Sequence, residues 1–170
     1  VHNRIKILNN HSLILRNMNK CMVTDIEKNG VKITIANVHL SPDYMKGGKK
    51  RIVEIKTLLN YLEKQSKNQI VMGDMNDSPS STVYKMMKEN GFREAIVEKN
   101  NKHFLTFPAK NPEKTIDYIW IKGNQLKVHK VKTFGTEKHS DHLGLYAEIN
   151  LTTTTTGTSA TTTGTSATTT

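Results

Sequence analysis

The sequence predicts an α/β protein, a layered α/β sandwich in which helices flank two mixed β-sheets. Its segments follow one another as β-β-α-β-α-β-β-β, which is too many consecutive strands for a doubly wound parallel sheet. The 170 residues are 35% hydrophobic, and this is enough for one domain with a buried core. Each element of this prediction has its own signal in the chain.

The first half of the chain predicts a hairpin followed by a helix. Residues 20–27 and 31–38 are β-like, and Asn29-Gly30 between them tolerates the positive φ angles of a tight turn. Residues 49–67 predict an amphipathic helix because their apolar side chains fall on one helical face. These apolar residues are Ile52, Ile55, Leu58, Leu59 and Leu62.

The second half predicts one helix among four strands. Residues 69–72 form a short apolar run that ends at Gly73-Asp74. A helix is expected after Ser78-Pro79, and Gly91 is suited to end it. Three further strands are predicted at residues 115–121, 126–134 and 143–149.

Charge and composition narrow the function classes. Lys and Arg number 25 against 15 Asp and Glu, and the net charge of +10 favours a polyanionic partner such as nucleic acid or acidic lipid. The single cysteine, Cys21, excludes an intramolecular disulfide and a multi-cysteine zinc site. No apolar run reaches the roughly 18 to 20 residues of a membrane span, and no stable protein partner or compartment is indicated.

The composition changes after Leu151. Residues 152–170 contain only Thr, Gly, Ser and Ala, which bury too little apolar surface to offset the entropy of ordering. The sequence therefore predicts a domain over residues 1–151 and a disordered, low-complexity tail over 152–170. A sequon at Asn150-Leu151-Thr152 leaves a glycosylated stalk open beside a plain linker.

Polar residues interrupt the predicted strands at their ends, and strand ends converge on one rim of a layered sheet. Carboxylate and amide oxygens suit a hard cation such as Mg²⁺. Imidazoles can stabilise a phosphoryl group while a carboxylate activates water, so the set predicts phosphoester hydrolysis. The four motifs are Asn37-Val38-His39, Gly73-Asp74-Met75-Asn76, Ile116-Asp117-Tyr118 and Ser140-Asp141-His142.

In this order the four motifs resemble the endonuclease/exonuclease/phosphatase superfamily, which is DNase I-like, over roughly residues 13–151. The resemblance implies two β-sheets flanked by helices and cleavage of phosphoester bonds that depends on Mg²⁺ or Mn²⁺. By the same resemblance, Asp74 activates the water, while Asn76 contacts the phosphate and orients the nucleophile. His39 is a second phosphate-facing group, Asp141 a metal-side carboxylate, and Asn37 a brace or weak substrate contact.

The resemblance also pairs His142 with Asp117. His142 would stabilise the pentavalent phosphorus, and Asp117 would fix the tautomer and orientation of its imidazole. A basic run over residues 46–51 follows His39 closely, so Lys49 and Arg51 are candidates for contacts to flanking phosphates. A solvated loop is the competing interpretation of that run.

The chain departs from the family pattern at its start. The family supplies an Asn at the end of its first strand and a metal-binding Glu after its second, and nothing upstream of Asn37 matches either. We expect the Glu27 side chain, beside the hairpin turn, to be exposed to solvent. We therefore expect the C-terminal part of a larger domain, incomplete at its N-terminus.

The leading functional hypothesis is a Mg²⁺-dependent phosphodiesterase or nuclease that acts on nucleic acid. Two alternatives stay open: a basic binding module of the same fold without catalysis, and a lipid or phosphoinositide phosphoesterase. Tyr118, Trp120 and Cys21 are expected to be core residues rather than site residues. The other histidines, including His103 and His129, receive no role.

Overall fold

The computed structural model describes residues 5–42 and 48–152. Strands run from residue to residue as β1 Lys6–Arg16, β2 Asn19–Lys28, β3 Val31–His39, β4 Asn68–Asp74, β5 Arg93–Glu94, β6 Asp117–Lys122, β7 Leu126–Phe134 and β8 Gly144–Leu151. The helices are α1 Lys49–Leu62, α2 Thr82–Glu89 and α3 Ala95–Asn100. Lys46 and all of the Thr-rich tail beyond Thr152 lie outside the described residues.

Two sheets form the architecture, and both are part of the predicted layered α/β fold. The larger sheet has the order β1-β2-β3-β4-β6-β5, with β3 and β4 parallel and the other neighbours antiparallel. The smaller sheet pairs β7 with β8. Because the large sheet mixes parallel and antiparallel pairs, the prediction of mixed sheets flanked by helices is confirmed.

Local signals in the chain explain the elements that were predicted well. Asn29 and Gly30 take φ angles of 54° and 76° in the tight β2–β3 turn. Helix α1 begins at Lys49, as expected, and ends at Leu62 rather than at residue 67. Ser81, rather than the Ser78-Pro79 pair, caps α2 by accepting a hydrogen bond from the Tyr84 amide at 3.1 Å.

Three elements were not predicted. Strand β1 is the exposed edge of the large sheet, and the polar run Asn9-Asn10-His11 in its middle hides its strand character. Strand β5 and helix α3 have only two and six residues, too few for a periodic pattern.

The main core lies between the large sheet and helices α1 and α2. Leu58, Val71 and Trp120 are completely buried there, and the Tyr118 ring lies 5.7 Å from that of Trp120. The expectation that Tyr118, Trp120 and Cys21 are core residues is confirmed. None of the helices within residues 5–42 and 48–152 is long and apolar enough to cross a membrane.

Candidate active site

Strand register brings three of the proposed site residues side by side at one end of the large sheet. His39, Asp74 and Asp117 are direct neighbours across β3, β4 and β6. The carboxyl ends of the parallel strands β3 and β4 meet here, and antiparallel β6 begins at the same edge. His39 Nε2 lies 3.5 Å from Asp74 Oδ2.

A tight turn after β4 holds the Asp74 carboxylate. The Asn76 amide donates a hydrogen bond of 2.7 Å to Asp74 Oδ1, and Asn76 itself has a φ angle of 49°. Its side-chain amide donates to the Leu40 carbonyl at 2.9 Å. Gly73 is needed just before this turn, because a Cβ there would lie 2.0 Å from the Val38 carbonyl oxygen. Through its bond to Leu40, the buried Asn76 side chain links the turn to the end of β3.

Asp117 and His142 form a hydrogen-bonded pair beside this turn. His142 Nδ1 lies 2.9 Å from Asp117 Oδ2. Since an ionised carboxylate can only accept, Nδ1 carries the proton, and Nε2 is the nitrogen left for a ligand. The two residues that the sequence paired for this purpose are thus in direct contact.

A loop over residues 101–116 supports the segment that carries Asp141 and His142. The Ala109 amide donates to the Asp141 carbonyl at 2.7 Å, and the Leu143 amide donates to the Thr106 carbonyl at 2.8 Å. The Phe107 ring centre lies 4.9 Å from that of His142. Sequence reasoning missed Phe107, because a single phenylalanine outside a periodic pattern carries no signal of a site.

These residues line one open cleft of about 500 Å³. The predicted residues His39, Asp74, Asn76, Asp117, Asp141 and His142 all contribute to its wall, together with Pro42 and Phe107. Asn37 instead lines an adjoining cavity of about 390 Å³, whose wall also includes Asp117 and His142. The sequence motifs therefore converge on one place, apart from Asn37.

The basic residues near the start of α1 lie apart from this cleft. Arg51 is only 5% exposed, and its guanidinium contacts Asp77 Oδ2 at 3.0 Å and the Ser41 carbonyl at 3.2 Å. These contacts brace the chain after β3 against the chain after β4. Lys49 is exposed in the first turn of α1.

Electrostatics in the cleft favour a bound proton or another cation. Burial raises the pKa of Asp74, and the charge of Asp117 adds to this rise. The Asn76 backbone amide and the charges of His142 and His39 oppose it without cancelling it. Burial lowers the pKa of His142, but the hydrogen bond and charge of Asp117 outweigh burial and raise it overall. Negative charge at this end of the sheet is thus only partly compensated by the protein.

Asp74, Asp117 and His142 can supply ligands to a metal ion. Each offers one donor atom, and the three atoms lie within 4.8 Å of one another. Carboxylate oxygens fit Mg²⁺ or Mn²⁺. Asp141, the carboxylate that the sequence assigned to the metal, lines the same cleft but is not part of this group.

Comparison with known proteins adds a family and a fold. The model of the Endonuclease/Exonuclease/phosphatase family matches residues 9–142. No curated protein sequence matches the chain.

Three solved structures illustrate the likeness of fold. The human Nocturnin catalytic domain with bound sulfate is 22% identical, with a TM-score of 0.69, over 89% of this chain and 62% of that one. D. rerio TDP2 complexed with a single-strand DNA product is 16% identical, with a TM-score of 0.69, over 86% and 69%. The mannosyl-6-phosphatase of Bacteroides thetaiotaomicron VPI-5482 is 16% identical, with a TM-score of 0.65, over 86% and 67%. The chain thus spans roughly two thirds of each structure.

Proposed function

The chain belongs to the Endonuclease/Exonuclease/phosphatase family, and from this premise we propose that its cleft hydrolyses phosphodiester bonds with the help of Mg²⁺ or Mn²⁺. The observation that carries the proposal is the cleft itself. An Asp117–His142 pair and the partly compensated Asp74 carboxylate face the same space as His39. Two imidazoles and three carboxylates around one opening can supply the base and the charge stabilisation that phosphoryl transfer to water uses.

In this proposal Asp74 is the general base. The water oxygen attacks phosphorus, its proton passes to Asp74, and the leaving oxygen departs with the electrons of the broken bond. A raised pKa makes a carboxylate a stronger base, as this step needs near neutral pH. The backbone amide of Asn76 holds the Asp74 carboxylate in place. The proposal also gives Asn76 a contact with the substrate phosphate.

His142 and His39 stabilise the charge that develops on the phosphoryl oxygens. With Nδ1 bound to Asp117, a protonated His142 presents Nε2–H to the substrate, and its raised pKa favours that form. Asp141 would hold the cation, with the Asp74 carboxylate beside it in the same cleft. The cation, when bound, neutralises phosphoryl charge and lowers the pKa of the attacking water.

We propose nucleic acid as the substrate class. The net charge of +10 supports a polyanion, and one structure of similar fold, D. rerio TDP2, carries a single-strand DNA product. Another is a mannosyl-6-phosphatase, so the fold alone does not choose the substrate. Exposed Lys49 is a candidate for contact with a flanking phosphate. Arg51 is assigned the weaker part because Asp77 already engages its guanidinium.

A substrate panel at fixed salt tests the proposal on the full-length protein. Single-stranded and duplex DNA, RNA, a phosphoinositide and sphingomyelin are each offered with Mg²⁺, with Mn²⁺ and with EDTA. We expect nucleic acid to be cleaved fastest, only with metal, and with an affinity that falls steeply as salt rises. The His129→Gln variant, which removes an exposed histidine of β7, serves as a control with unchanged activity.

The same panel separates the alternatives. Faster turnover of either lipid would replace nucleic acid by a lipid phosphoesterase activity. Salt-dependent binding of nucleic acid without cleavage by the full-length protein would favour the basic binding module. Full activity in EDTA would contradict the metal assignment.

A further inference from the structure

A buried carboxylate lies outside the cleft at the far edge of the large sheet. Glu94 belongs to the edge strand β5, where it pairs with Trp120 of β6, and its side chain is only 2% exposed. Burial raises its pKa, although His103 and the Tyr84 hydroxyl oppose this by pairing with it. A carboxylate buried this deeply is unfavourable unless its partners are held in place. The role of this group lies outside the chemistry of the cleft.

His103 is the partner that approaches Glu94 most directly. Its Nδ1 atom lies 3.2 Å from Glu94 Oε1 and 3.1 Å from Oε2. The Tyr84 ring of α2 meets the imidazole edge-on, with 5.7 Å between ring centres. His103 is therefore fixed both by a hydrogen bond to Glu94 and by an aromatic contact with Tyr84.

His103 stands near the start of the 101–116 loop, directly before its internally bonded part. The next residue, Phe104, accepts a hydrogen bond from the Thr115 hydroxyl at 2.9 Å. The Thr106 amide donates to the Lys114 carbonyl at 2.8 Å, and an isolated bridge pairs Phe107 with Lys114. These bonds tie the loop into one unit, so a contact that fixes its first residues also fixes the part over residues 106–109.

The part of the loop that contacts the site is residues 106–109. Thr106 and Ala109 bond the backbone on both sides of His142, and Phe107 covers the His142 ring. Together with the bond of His142 to Asp117 and the bond of the His142 amide to the Ser140 hydroxyl, these contacts orient the segment that carries Asp141 and His142. A continuous series of contacts thus joins Glu94 at the sheet edge to the cleft.

We propose that Glu94 and His103 are positioning residues: their pair anchors the 101–116 loop, and the loop in turn sets the orientation of Asp141 and His142. The inference rests on the proposed function only for its catalytic consequence. The pair touches neither substrate nor reacting atoms. Its loss loosens the segment on which the Asp117–His142 contact depends, while the helix-covered core stays formed.

The test uses Glu94→Gln, His103→Gln and the double variant, with Lys102→Gln as a matched control. Lys102 is the exposed neighbour of His103 in the same loop. Hydrogen exchange of the Ala109 and Leu143 amides is measured in the metal-free full-length protein, with the core residues Val71 and Trp120 as internal reference. This measurement requires no activity. If Glu94→Gln does not fold, His103→Gln, which alters a partly exposed side chain, carries the test.

We expect each single variant to speed exchange at Ala109 and Leu143 at least about tenfold relative to Val71 and Trp120. The double variant should add little, because both changes break the same pair. In an active enzyme, kcat should fall about tenfold with KM nearly unchanged, since the loss concerns orientation for the chemical step. Lys102→Gln should change neither quantity.

The outcomes separate this inference from the proposed function. Exchange at Ala109 and Leu143 that stays in step with Val71 and Trp120, or that responds additively to the two substitutions, overturns the positioning role. Selective loosening in a protein that hydrolyses no phosphodiester supports the positioning role and overturns the hydrolase proposal. A kcat that follows global stability instead of the exchange of the two loop amides also counts against positioning.

Discussion

Glu54 of α1 and Asp74 of β4 are both carboxylates shielded from water, and they differ in how far the protein compensates their charge. Burial raises the pKa of Glu54, but the Ser41 amide at 2.8 Å, the Ser41 hydroxyl and Arg16 at 3.4 Å lower it overall. Burial, and after it the charge of Asp117, raises the pKa of Asp74 overall, although one backbone amide and two nearby histidines oppose the rise. A fully compensated carboxylate holds the fold, whereas a partly compensated one is available to a ligand.

Two arginines lie near these carboxylates, and both pair with acidic side chains outside the cleft. Arg16 and Arg51 lie where negative charge is already balanced: Arg16 beside Glu54, and Arg51 beside Asp77. At the cleft, the partners of the carboxylates are instead two histidines, with His39 beside Asp74 and His142 beside Asp117. The carboxylates of the cleft thus have no arginine partner of the kind that Glu54 and Asp77 have.

The largest expected effect comes from removing the cleft groups. Asp74→Asn and His142→Ala should each lower kcat on a phosphodiester by at least about a hundredfold, because general-base and electrostatic contributions are each typically that large. Steady-state kinetics of the full-length protein measure the loss, and unfolding curves check that both variants fold. A loss below about threefold in either variant would remove that residue from the proposed chemistry.

The Asp117–His142 pair makes a second prediction about activity. Asp117→Ala should act through the imidazole, so the double variant with His142→Ala should be slower than His142→Ala alone by no more than about threefold. The measurement is a double-mutant cycle on kcat. Losses that multiply independently would show that Asp117 acts separately from His142, for example as a cation ligand only.

Glu54 should matter for stability and not for chemistry. Glu54→Gln leaves the Arg16 charge and the Ser41 donors poorly paired, and should lower the free energy of unfolding by about 1 to 3 kcal/mol at pH 7. Its depressed pKa means that this contribution is present above the ordinary carboxyl pKa of 4.5 and is lost as pH falls through the folded value. Urea unfolding at pH 7 and in acid measures both effects, with Glu63→Gln, an exposed glutamate that caps the C-terminal end of α1, as control.

The stability that His142 contributes should depend on pH in the opposite direction. Its pKa is raised in the folded protein, so the stability it contributes is full below the ordinary value of 6.5 and is lost as pH rises through the folded pKa. In EDTA, the stability of the wild type relative to His142→Gln should therefore be greater at pH 5.5 than at pH 8. The change should be under about 1 kcal/mol, since the pair is partly exposed. An advantage that grows with pH would contradict the direction of the shift.

Local patterns predicted much of the fold and of the site. The Asn29-Gly30 turn, the apolar face of α1 and the four strand-end motifs are each written within a few consecutive residues, so the sequence alone shows them. The convergence of His39, Asp74, Asp117 and His142 follows from the rule that strand ends share an edge.

The features that were missed depend on contacts between distant segments. The Glu94–His103 pair and the Phe107–His142 contact each join residues whose spacing in the chain carries no pattern. Burial of Arg51 was missed for the same reason: its partner Asp77 lies 26 residues away. The residue type alone suggested a solvent-exposed arginine. Only the packing of the fold shows that the Arg51 charge is paired with a carboxylate of the protein itself.

We propose that the protein leaves the charge of Asp74 undercompensated so that the cleft can bind a cation. The decisive measurement is the free energy of unfolding of Asp74→Asn in EDTA at pH 8. Removing a charge that the fold disfavours should raise that free energy by about 0.5 to 2 kcal/mol, because sites kept for function are often stabilised when their charge is removed. Adding Mg²⁺ should stabilise the wild type but not the variant. If Asp74→Asn lowers the free energy of unfolding as Glu54→Gln is expected to, Asp74 is a structural carboxylate and the account of the cleft is wrong.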